Sequence, residues 1–549
     1  MKRRNKWYWI LGMLVGMGTA RAQSFPEFPV VNIQETSFPK DTFDIQGYGA
    51  KIGLLNTQGI QQAIDACHQQ GGGVVLVPAG LWFTGPIVLK SNVNLHLAEN
   101  ALLQFTDDFD QYPLVATSWE GIEQMRNQSP IWAKGAQNIA ITGKGIIDGN
   151  GDAWRMVKKG KLTESQWKKL VAKGGVLNEK KDTWYPSESS LKGSKYQDPG
   201  ELSNDKNQEF YQEIKDFLRP NLILLESCKQ LLLEGVTFQN SPAWNIHPLM
   251  SEDIVVRNVN VRNPWYSQNG DGIDIESCRN VLVENSQFDV GDDAICIKSG
   301  KNEAGRKRAM PTENVWIRNN TVYHGHGGVV IGSEMSGGVK NLYVSNCTFL
   351  GTDIGLRFKT ARGRGGIVED IYIKNIYMKD IPGEAILFDM YYEAKDPLPL
   401  EGEGRTPPKV QTLPVTDATP QFKNFYLYDI FCDGAQKAFF VRGVPEMHVK
   451  NITAEKLYIK AEEGLDIQEA SNIVIRDSYF EIKSKDNLIY LLNSDHVVFD
   501  KVRSPSPVAY LVHVQGERSQ GIVLRNLDVY ADKVKTDYGA PNGAINSSK

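Results

Sequence analysis

Short apolar segments in which hydrophobic and polar residues alternate recur along this chain after about residue 230. Each repeat contains a few alternating apolar residues, an Asn or Asp with Gly, and a second short strand. Most repeats are 22 to 34 residues apart, which is too close for the four strands that a β-propeller blade places in roughly 40 residues. A parallel β-helix fits, because each of its coils buries its inner face by stacking on its neighbours. The repeats begin near Leu231, Asp253, Asn280, Asn314, Asn341, Asp370, Asn424, Asn472, His496 and Gly521.

An amphipathic helix is predicted before the repeats. Four apolar residues follow the i, i+3, i+4 and i+7 pattern of one helix face: Ile60, Ala63, Ile64 and Cys67. Asn56 or Thr57 can cap its N-terminus, and the glycines at 71–73 end it. We expect this helix to cover the open end of the β-helix core, whose first strands lie near 74–77 and 93–97.

The first 22 residues have the features of a secretory signal peptide. Basic residues at 2–6 precede a short apolar run, and Ala20-Arg21-Ala22 offers a cleavage site between small residues. The apolar run is too short to span a membrane, and no later stretch is long enough. The sequence therefore predicts a protein exported to the periplasm or the extracellular space.

The remaining residues, 23–549, are predicted to form one β-helix domain with two insertions. From about 151 to 220 the composition turns to Lys, Glu, Ser, Trp and Tyr, and from about 393 to 420 it is rich in Pro and Gly. Long insertions in a regular scaffold often carry function. We expect both to form walls of a cleft.

Charge and cysteine content exclude several classes of function. The formal net charge of the chain is -4, and it becomes more negative without the basic signal segment, which argues against nonspecific nucleic-acid binding. An acidic substrate would need a local basic pocket. The six cysteines lack the paired spacing of zinc or redox sites, so most are expected to be buried thiols.

The stretch from 253 to 359 contains the candidate chemistry. Four segments there end in similar apolar strands that can be stacked as successive coils: 272–275, 294–297, 328–331 and 355–358. When their last apolar residues are aligned, polar residues fall into columns: Asp271 with Asp293, Asp292 with His326, Lys298 with Lys359, and Arg357. Strand alternation points the three basic side chains of these columns outward. Glycines beside the aspartates and the histidine break the alternation, so their direction is not settled by counting.

Three clustered aspartates suit glycoside hydrolysis. One carboxylic acid must protonate the leaving oxygen, and a carboxylate must activate water or attack the sugar. Crowding of like charges raises the pKa of at least one carboxyl group and keeps it protonated. The nearby Arg357 and Lys359 could bind the carboxylate of a uronic acid sugar. The residues themselves thus indicate hydrolysis of an acidic sugar chain.

Four motifs then resemble a known family. Asn269-Gly270-Asp271, Gly291-Asp292-Asp293, Gly325-His326-Gly327 and Arg357-Phe358-Lys359 are similar in kind and order to the signature motifs of the polygalacturonases, glycoside hydrolase family 28. The resemblance implies a right-handed parallel β-helix that hydrolyses α-1,4-galacturonide links of pectin or its oligosaccharides, with inversion and without a metal or other cofactor. A monomer is expected. Gly270 and Phe358 depart from the usual Thr and Ile, but neither is a functional position.

The resemblance also implies roles for individual residues. Asp292 would be the general acid, and Asp271 and Asp293 would position and deprotonate the attacking water. His326 would support protonation of the acid. The substrate carboxylate would be held by Arg357 and Lys359, with Lys298 as an additional binding residue.

Three alternatives remain open. A pectate-lyase-like β-helix would use calcium, which the aspartates could ligate, and a noncatalytic glycan-binding solenoid would need no acid and base. Within the family, rhamnogalacturonan or xylogalacturonan could be the substrate. The insertion at 151–220 resembles the extra loops of exo-acting bacterial members, which favours exo action.

Overall fold

The computed structural model describes residues 25–392, 411–529 and 533–548. Contacts divide the chain into Met1–Val30 and Val31–Lys549. The described residues of the first unit, 25–30, form neither helix nor strand. The predicted cleavage site after residue 22 lies outside the described residues and stays a prediction.

The second unit is a right-handed parallel β-helix, which confirms the predicted fold. The strands of its coils pair with the equivalent strands of neighbouring coils and form three walls. The first wall contains Thr42–Asp44, Gly73–Val77, Val93–Leu97, Gln137–Gly143, Lys229–Glu234, Glu252–Arg257, Arg279–Glu284, Thr312–Arg318, Val339–Leu350, Ile367–Glu384, Gln421–Arg442, Val449–Gln468, Ala470–Arg476, Asp495–Asp500, Ile522–Arg525 and Ile545–Ser548. Four of these strands, from Val339–Leu350 to Val449–Gln468, continue around the corner into the second wall.

The other two walls are built from shorter strands. The second wall also contains Gly80–Thr84, Ala101–Phe105, Ile146–Asp148, Thr237–Gln239, Asn260–Arg262, Gln287–Asp289, Thr321–His324, Tyr479–Ile482, Arg503–Ser504 and Asp528–Val529. The third wall contains Ile87–Val88, Ile131–Lys134, Ile223–Glu226, Ile246–Leu249, Ile273–Glu276, Asp293–Lys298, Gly327–Ile331, Leu356–Lys359, Ile386–Asp389, Asn487–Leu492, Tyr510–Gln515 and Val534–Asp537, together with the ends of Gln421–Arg442 and Val449–Gln468.

One continuous apolar core runs between the walls, because alternate residues of every strand point inward. The predicted helix is present as Thr57–Gln69 after the N-cap Asn56, and its four predicted apolar residues are buried in the first coils of the core. All six cysteines are buried free thiols, as expected. No helix among the described residues combines the length and apolarity needed to cross a bilayer.

Asparagines on the first wall form a ladder that runs parallel to the axis. The side chain of Asn314 accepts from Asn341 at 3.1 Å and donates to Asn280 at 3.2 Å, and Asn280 donates to Asp253 at 3.0 Å. Each of these four residues has a φ between 56° and 58°, in the left-handed region that Asn tolerates better than most residues. We call this set the asparagine ladder; it fixes the register of the coils.

The insertion at 151–220 folds as a compact annex. It contains the helices Glu164–Ala172, Glu188–Gly193 and Gln208–Glu213, the short helical turns Gly151–Ala153, Lys159–Lys161 and Lys215–Phe217, and a small sheet of Val157–Lys158, Val176–Leu177 and Thr183–Tyr185. Val157, Trp167 and Trp184 form its own apolar centre. Of the second predicted insertion, 393–410 lies outside the described residues, and 411–420 is without strand or helix.

An antiparallel hairpin projects from the third wall, formed by Leu114–Trp119 and Ile122–Asn127. Its tip reaches the coil of Asp293–Lys298: the carbonyl of Gly121 accepts from the Lys301 amide at 3.3 Å. A Cβ at position 121 would lie 2.5 Å from that amide nitrogen, so only glycine permits this approach. The remaining helical pieces are Ile45–Tyr48, Phe109–Gln111 and Asn302–Arg308.

Candidate active site

Four consecutive coils of the third wall bring the predicted site residues together. The strand register pairs Ile275 with Ile297, Ile297 with Ile331, and Ile331 with Phe358. This is the alignment from which the polar columns were predicted, and it is confirmed. The predicted outward direction of Arg357, Lys298 and Lys359 is also confirmed, since each contacts acidic groups outside the core.

Asp293 is the centre of the cluster. One of its oxygens accepts from the Arg357 guanidinium at 3.1 Å, and the other accepts from the Lys359 ammonium at 2.8 Å. Burial by itself would raise the pKa of Asp293, but the charges of Lys359, Arg357 and Lys298 outweigh it and hold the pKa well below its usual value. Asp293 is therefore an ionised carboxylate at neutral pH.

A glycine lies in the coil between Asp293 and its basic partners. Gly327 pairs with Asp293 across the strands, and Arg357 and Lys359 lie one coil beyond it. A Cβ at position 327 would lie 2.5 Å from the Val330 side chain and at contact distance, 3.4 Å, from the Arg357 side chain. Glycine thus leaves room here for Val330 and for the Arg357 side chain that reaches back to the aspartate. Sequence reasoning had placed Arg357 and Lys359 only against substrate.

Asp271 has the opposite electrostatic character. It is almost completely buried, and its Oδ1 has no hydrogen-bond partner among the described residues. Burial first, and then the charges of Asp274, Asp292 and Asp293, raise its pKa well above the usual value. The predicted effect of crowding is therefore present, although burial is its larger cause.

Asp274 is a buried carboxyl that sequence reasoning missed. Neither of its oxygens has a hydrogen-bond partner among the described residues. The Lys298 ammonium lies 3.8 Å from one of these oxygens. Burial raises the pKa of Asp274 as well, and Asp293, Asp292 and Glu276 add to the rise. Its place in the same strand column as Arg357 was the available signal.

Asp292 and His326 form a pair at the surface of the cleft. The Asp292 side chain is 22% exposed, and its Oδ1 lies 3.1 Å from His326 Nδ1. The other ring nitrogen of His326 lies 3.7 Å from Asp353, a residue that sequence reasoning did not single out. The hydrogen bond with Asp292 is the main cause that raises the pKa of His326, and it outweighs partial burial.

Lys298 is held inside a polar network. Its ammonium donates to Glu334 at 2.8 Å and lies 5.0 Å from the centre of the Trp244 ring. Trp244 in turn stacks on Trp119 of the hairpin at 5.1 Å. The structure thus gives this lysine internal partners, and its predicted contact with substrate stays a prediction.

The annex fixes the loop that carries Asp271. Arg219, at the end of the annex, donates to the carbonyls of Pro242 and Gln268 and to the side chain of Asn269, each at 2.9 Å. Lys161 lies 4.9 Å from the centre of the exposed Trp265 ring on the same side. The annex therefore contacts the loop that carries Asp271, and its predicted role as a wall of a cleft stays a prediction.

The three aspartates are close enough to act on one bond. One oxygen from each of Asp271, Asp292 and Asp293 lies within 4.8 Å of the others. Such a group can in principle hold a cation, but both oxygens of Asp293 already accept from Arg357 and Lys359. The donor set therefore does not fit a calcium site, which needs free carboxylate oxygens.

Comparison with known proteins shows which family this chain resembles. Residues 192–419 match the model described as Glycosyl hydrolases family 28, and all seven predicted site residues lie in that segment. The chain is also similar to "Exo-poly-alpha-D-galacturonosidase" of Dickeya chrysanthemi, with 32% identity over 66% of this chain and 59% of the relative. A "Probable polygalacturonase" of Vitis vinifera is 30% identical over 59% of this chain and 58% of the relative.

The family 28 likeness extends to solved structures. An exopolygalacturonase from Thermotoga maritima shares 28% identity and a TM-score of 0.62, covering 87% of this chain and 93% of its own. A Yersinia enterocolitica family 28 exopolygalacturonase has a TM-score of 0.63 at 21% identity, with 90% and 79% covered, and shares the fold. The chain matches less than two thirds of the length of the two curated relatives named above.

Proposed function

We propose that this protein hydrolyses α-1,4-linked galacturonic acid residues of pectin, polygalacturonate or their oligosaccharides. The observation that carries the proposal is the placement of Arg357 and Lys359 beside three clustered aspartates. The Nε of Arg357 is buried without a hydrogen-bond partner among the described residues. This remaining donor can bind the carboxylate of a uronic acid sugar. The names of the family 28 relatives support the same substrate.

Each aspartate has a distinct part in the proposed reaction. Asp292 faces the cleft and donates a proton to the leaving oxygen, and His326, whose Nδ1 lies 3.1 Å from Asp292, returns a proton to it for the next turnover. Asp293 is the ionised member and takes the proton of the attacking water. Asp271, whose pKa is raised, orients that water. This division of roles follows from the principle that different surroundings give neighbouring carboxyl groups different pKa values.

We further propose that the reaction inverts the anomeric centre, as the family resemblance implies. The oxygen spacing of at most 4.8 Å is shorter than the ~6.5–9.5 Å between carboxyl groups in most inverting enzymes. The third carboxyl group accounts for the shorter spacing. Three aspartates can hold the attacking water among them, so a wide gap between two carboxyl groups is not needed. Proton NMR of the first product formed decides the matter: the β-anomer of galacturonic acid supports inversion, and the α-anomer contradicts it.

Exo action is proposed from the walls of the cleft. The annex stands beside the coil of Asp271, and the hairpin crosses to the coil of Asp293. Both lie on the side of the aspartates toward the N-terminal coils. A chain end would fit against these walls, whereas the middle of a polymer would collide with them.

Product analysis tests the proposal. The purified protein is incubated with polygalacturonate and with defined oligogalacturonides, with and without a chelator, beside an Asp292→Asn variant. Saturated monogalacturonic acid as the early product, unaffected by the chelator and lost in the variant, is the expected result. A mixture of saturated oligomers would contradict exo action alone. Unsaturated products that disappear with the chelator would replace the hydrolase with a calcium-dependent lyase.

Export and a monomeric state belong to the same proposal. The basic and apolar N-terminal segment and the small residues before 23 support removal of a signal peptide. N-terminal sequencing of the protein from culture fractions should begin at Gln23, and light scattering should give one chain per particle. An intact N-terminus in the cytoplasmic fraction would contradict export.

A further inference from the structure

A polar cavity lies outside the catalytic cluster, in the later coils. Its volume is about 430 Å³, which is within the size range of small-ligand sites. It opens where the second wall turns into the third. Six charged residues contribute to its lining: Lys437, Glu462, Glu463, Asp466, Lys483 and Asp486. We call this cavity the remote pocket.

The remote pocket stands on the same face as the proposed active site. Strand register leads from Arg357 to Leu387, then to Phe440, then to Asp466, and finally to Tyr490 at the far side of the pocket. Each step is one coil of about 4.8 Å, so Tyr490 lies roughly 19 Å from Arg357 along the axis. A polysaccharide chain held at one site could extend along this wall to the other.

The lysines of the remote pocket are already neutralised from within it. Lys437 lies 3.1 Å from Asp466 and 3.4 Å from Glu463, and Lys483 lies 2.6 Å from Glu462. Four carboxylates thus face two lysines, and the lining has an excess of negative charge.

The chemistry of the lining points to a neutral polyhydroxyl ligand. Carboxylates accept hydrogen bonds from hydroxyl groups, and charge assistance strengthens such bonds. Gln436, Ser484 and Asn487 add amide and hydroxyl groups, and Tyr490 adds an aromatic ring. An unesterified uronate would bring a further negative charge against the surplus carboxylates, which repel it.

We propose that the remote pocket binds an uncharged sugar unit of a pectic chain. A neutral branch sugar or a methyl-esterified galacturonate has this chemistry. The assignment to pectic sugars rests on the proposed function, whereas the preference for uncharged over anionic sugars rests on the pocket alone. The third wall would then recognise an acidic sugar at the catalytic end and a neutral one about four coils away.

Matched tryptophan substitutions test the proposal. Ser484 lines the pocket, while the neighbouring Lys485 is exposed and does not. Saturation-transfer NMR is recorded on the full chain with three probes: a neutral galacto-oligosaccharide, methyl-esterified digalacturonate and unesterified digalacturonate. The Asp292→Asn background prevents turnover. The first two probes should bind to the protein with an intact pocket. Their affinity should be at least ten-fold weaker in Ser484→Trp and unchanged in Lys485→Trp.

A charge reversal provides an independent variant if the tryptophan disturbs folding. Asp486→Lys should weaken the neutral probes little and allow unesterified digalacturonate to bind at the pocket. Absence of binding by the neutral probes, or equal loss in both tryptophan variants, would overturn the proposal. So would a preference of the pocket for the unesterified probe. Because binding is read without turnover, the result stands even if the protein does not hydrolyse galacturonate.

Discussion

The outer faces of the first and third walls are made by the same coils, yet they are built differently. On the first wall, like side chains stack: the asparagine ladder repeats one hydrogen bond, and Trp316, Tyr343, Tyr372 and Tyr426 stack with ring centres 4.9 to 5.5 Å apart. On the third wall, consecutive coils present unlike groups. Asp274, Cys296, Val330 and Arg357 occupy successive positions of one column.

The difference shows that one wall of a repeating fold can stabilise the structure while another wall carries the candidate active site. In the asparagine ladder, each side chain forms a hydrogen bond with the side chain of the neighbouring coil, without a contribution from substrate. The third wall instead buries carboxyl oxygens without hydrogen-bond partners among the described residues, namely Oδ1 of Asp271 and both oxygens of Asp274, which costs free energy. Substitutions on the two walls should therefore separate activity from stability.

The largest effect is expected from Asp292→Asn on the third wall. The amide keeps the shape of the side chain but cannot donate a proton to the leaving oxygen. Because general acid catalysis contributes ~10²–10⁴-fold, kcat on oligogalacturonides should fall by about 10³-fold, with little change in the melting temperature. Retention of more than a tenth of the activity would show that another group is the acid.

Arg357→Lys should have the next largest effect. The ammonium keeps the charge beside Asp293 but loses the planar fork that binds a carboxylate through two parallel bonds. A charge-assisted hydrogen bond contributes about 1.5–3 kcal/mol, so kcat/KM should fall about 10- to 100-fold on galacturonide substrates. Lys340→Arg, at an exposed position on the first wall, is a control that should leave kcat/KM unchanged.

His326→Gln should change the pH profile. The pKa of His326 is raised, chiefly by its hydrogen bond with Asp292, so the ring stays protonated above its usual range and loses its proton as the pH rises further. Kinetics should show an alkaline limb of kcat/KM in the parent that is shifted or absent in the variant, with about 10-fold lower activity at neutral pH. An unchanged alkaline limb would remove His326 from the proposed mechanism.

Asp271→Asn should stabilise the protein while lowering its activity. The pKa of Asp271 is higher folded than unfolded, so this group favours folding at low pH and costs stability as the pH rises through the folded value. Asn is always neutral. Calorimetry should show a melting temperature raised by about 2 °C or more at neutral pH, and little difference below the unfolded value near 3.8. A lower melting temperature at neutral pH would contradict the assignment of Asp271 as a destabilising group.

The smallest effect is expected from the asparagine ladder. Asn314→Ala removes two ladder hydrogen bonds and places a Cβ-bearing residue without polar atoms in the left-handed region, which costs about 1–2 kcal/mol. Denaturant unfolding should detect this loss while kcat stays unchanged. Glycine adopts the left-handed conformation without a steric cost. The difference in unfolding free energy between Asn314→Ala and Asn314→Gly therefore measures the backbone cost. A fall in kcat would contradict the idea that the first wall contributes to stability and not to activity.

Much of the repeating part of the fold could be predicted from the sequence. Most of the predicted repeat starts, including Asp253, Asn280, Asn314 and Asn341, are residues with positive φ, because Asn and Asp are the side chains that accept this conformation. The register of the catalytic strands followed in the same way from the last apolar residue of each. Local chemistry decides both features, so a single sequence contains them.

The contacts between distant segments could not be predicted in this way. The pairing of Asp293 with Arg357 and Lys359 depends on side chains that reach across a whole coil, and Gly327 was its only local sign. Asp274 and Glu334 belong to the site because they are buried beside Lys298. Alternation along one strand does not reveal that burial. The remote pocket is likewise formed by the corners of three successive coils, at 436–437, 462–466 and 483–490.

The hairpin has a consequence for how the molecule assembles. Its contacts with the catalytic coils join residues far apart along the chain: Glu120 with Lys301, and Ser118 with Arg308. Stacked coils grow by local nucleation, whereas such distant loop closures are slow. The cleft should therefore close only after the coils have formed. In refolding experiments, β-sheet circular dichroism should recover before enzymatic turnover does.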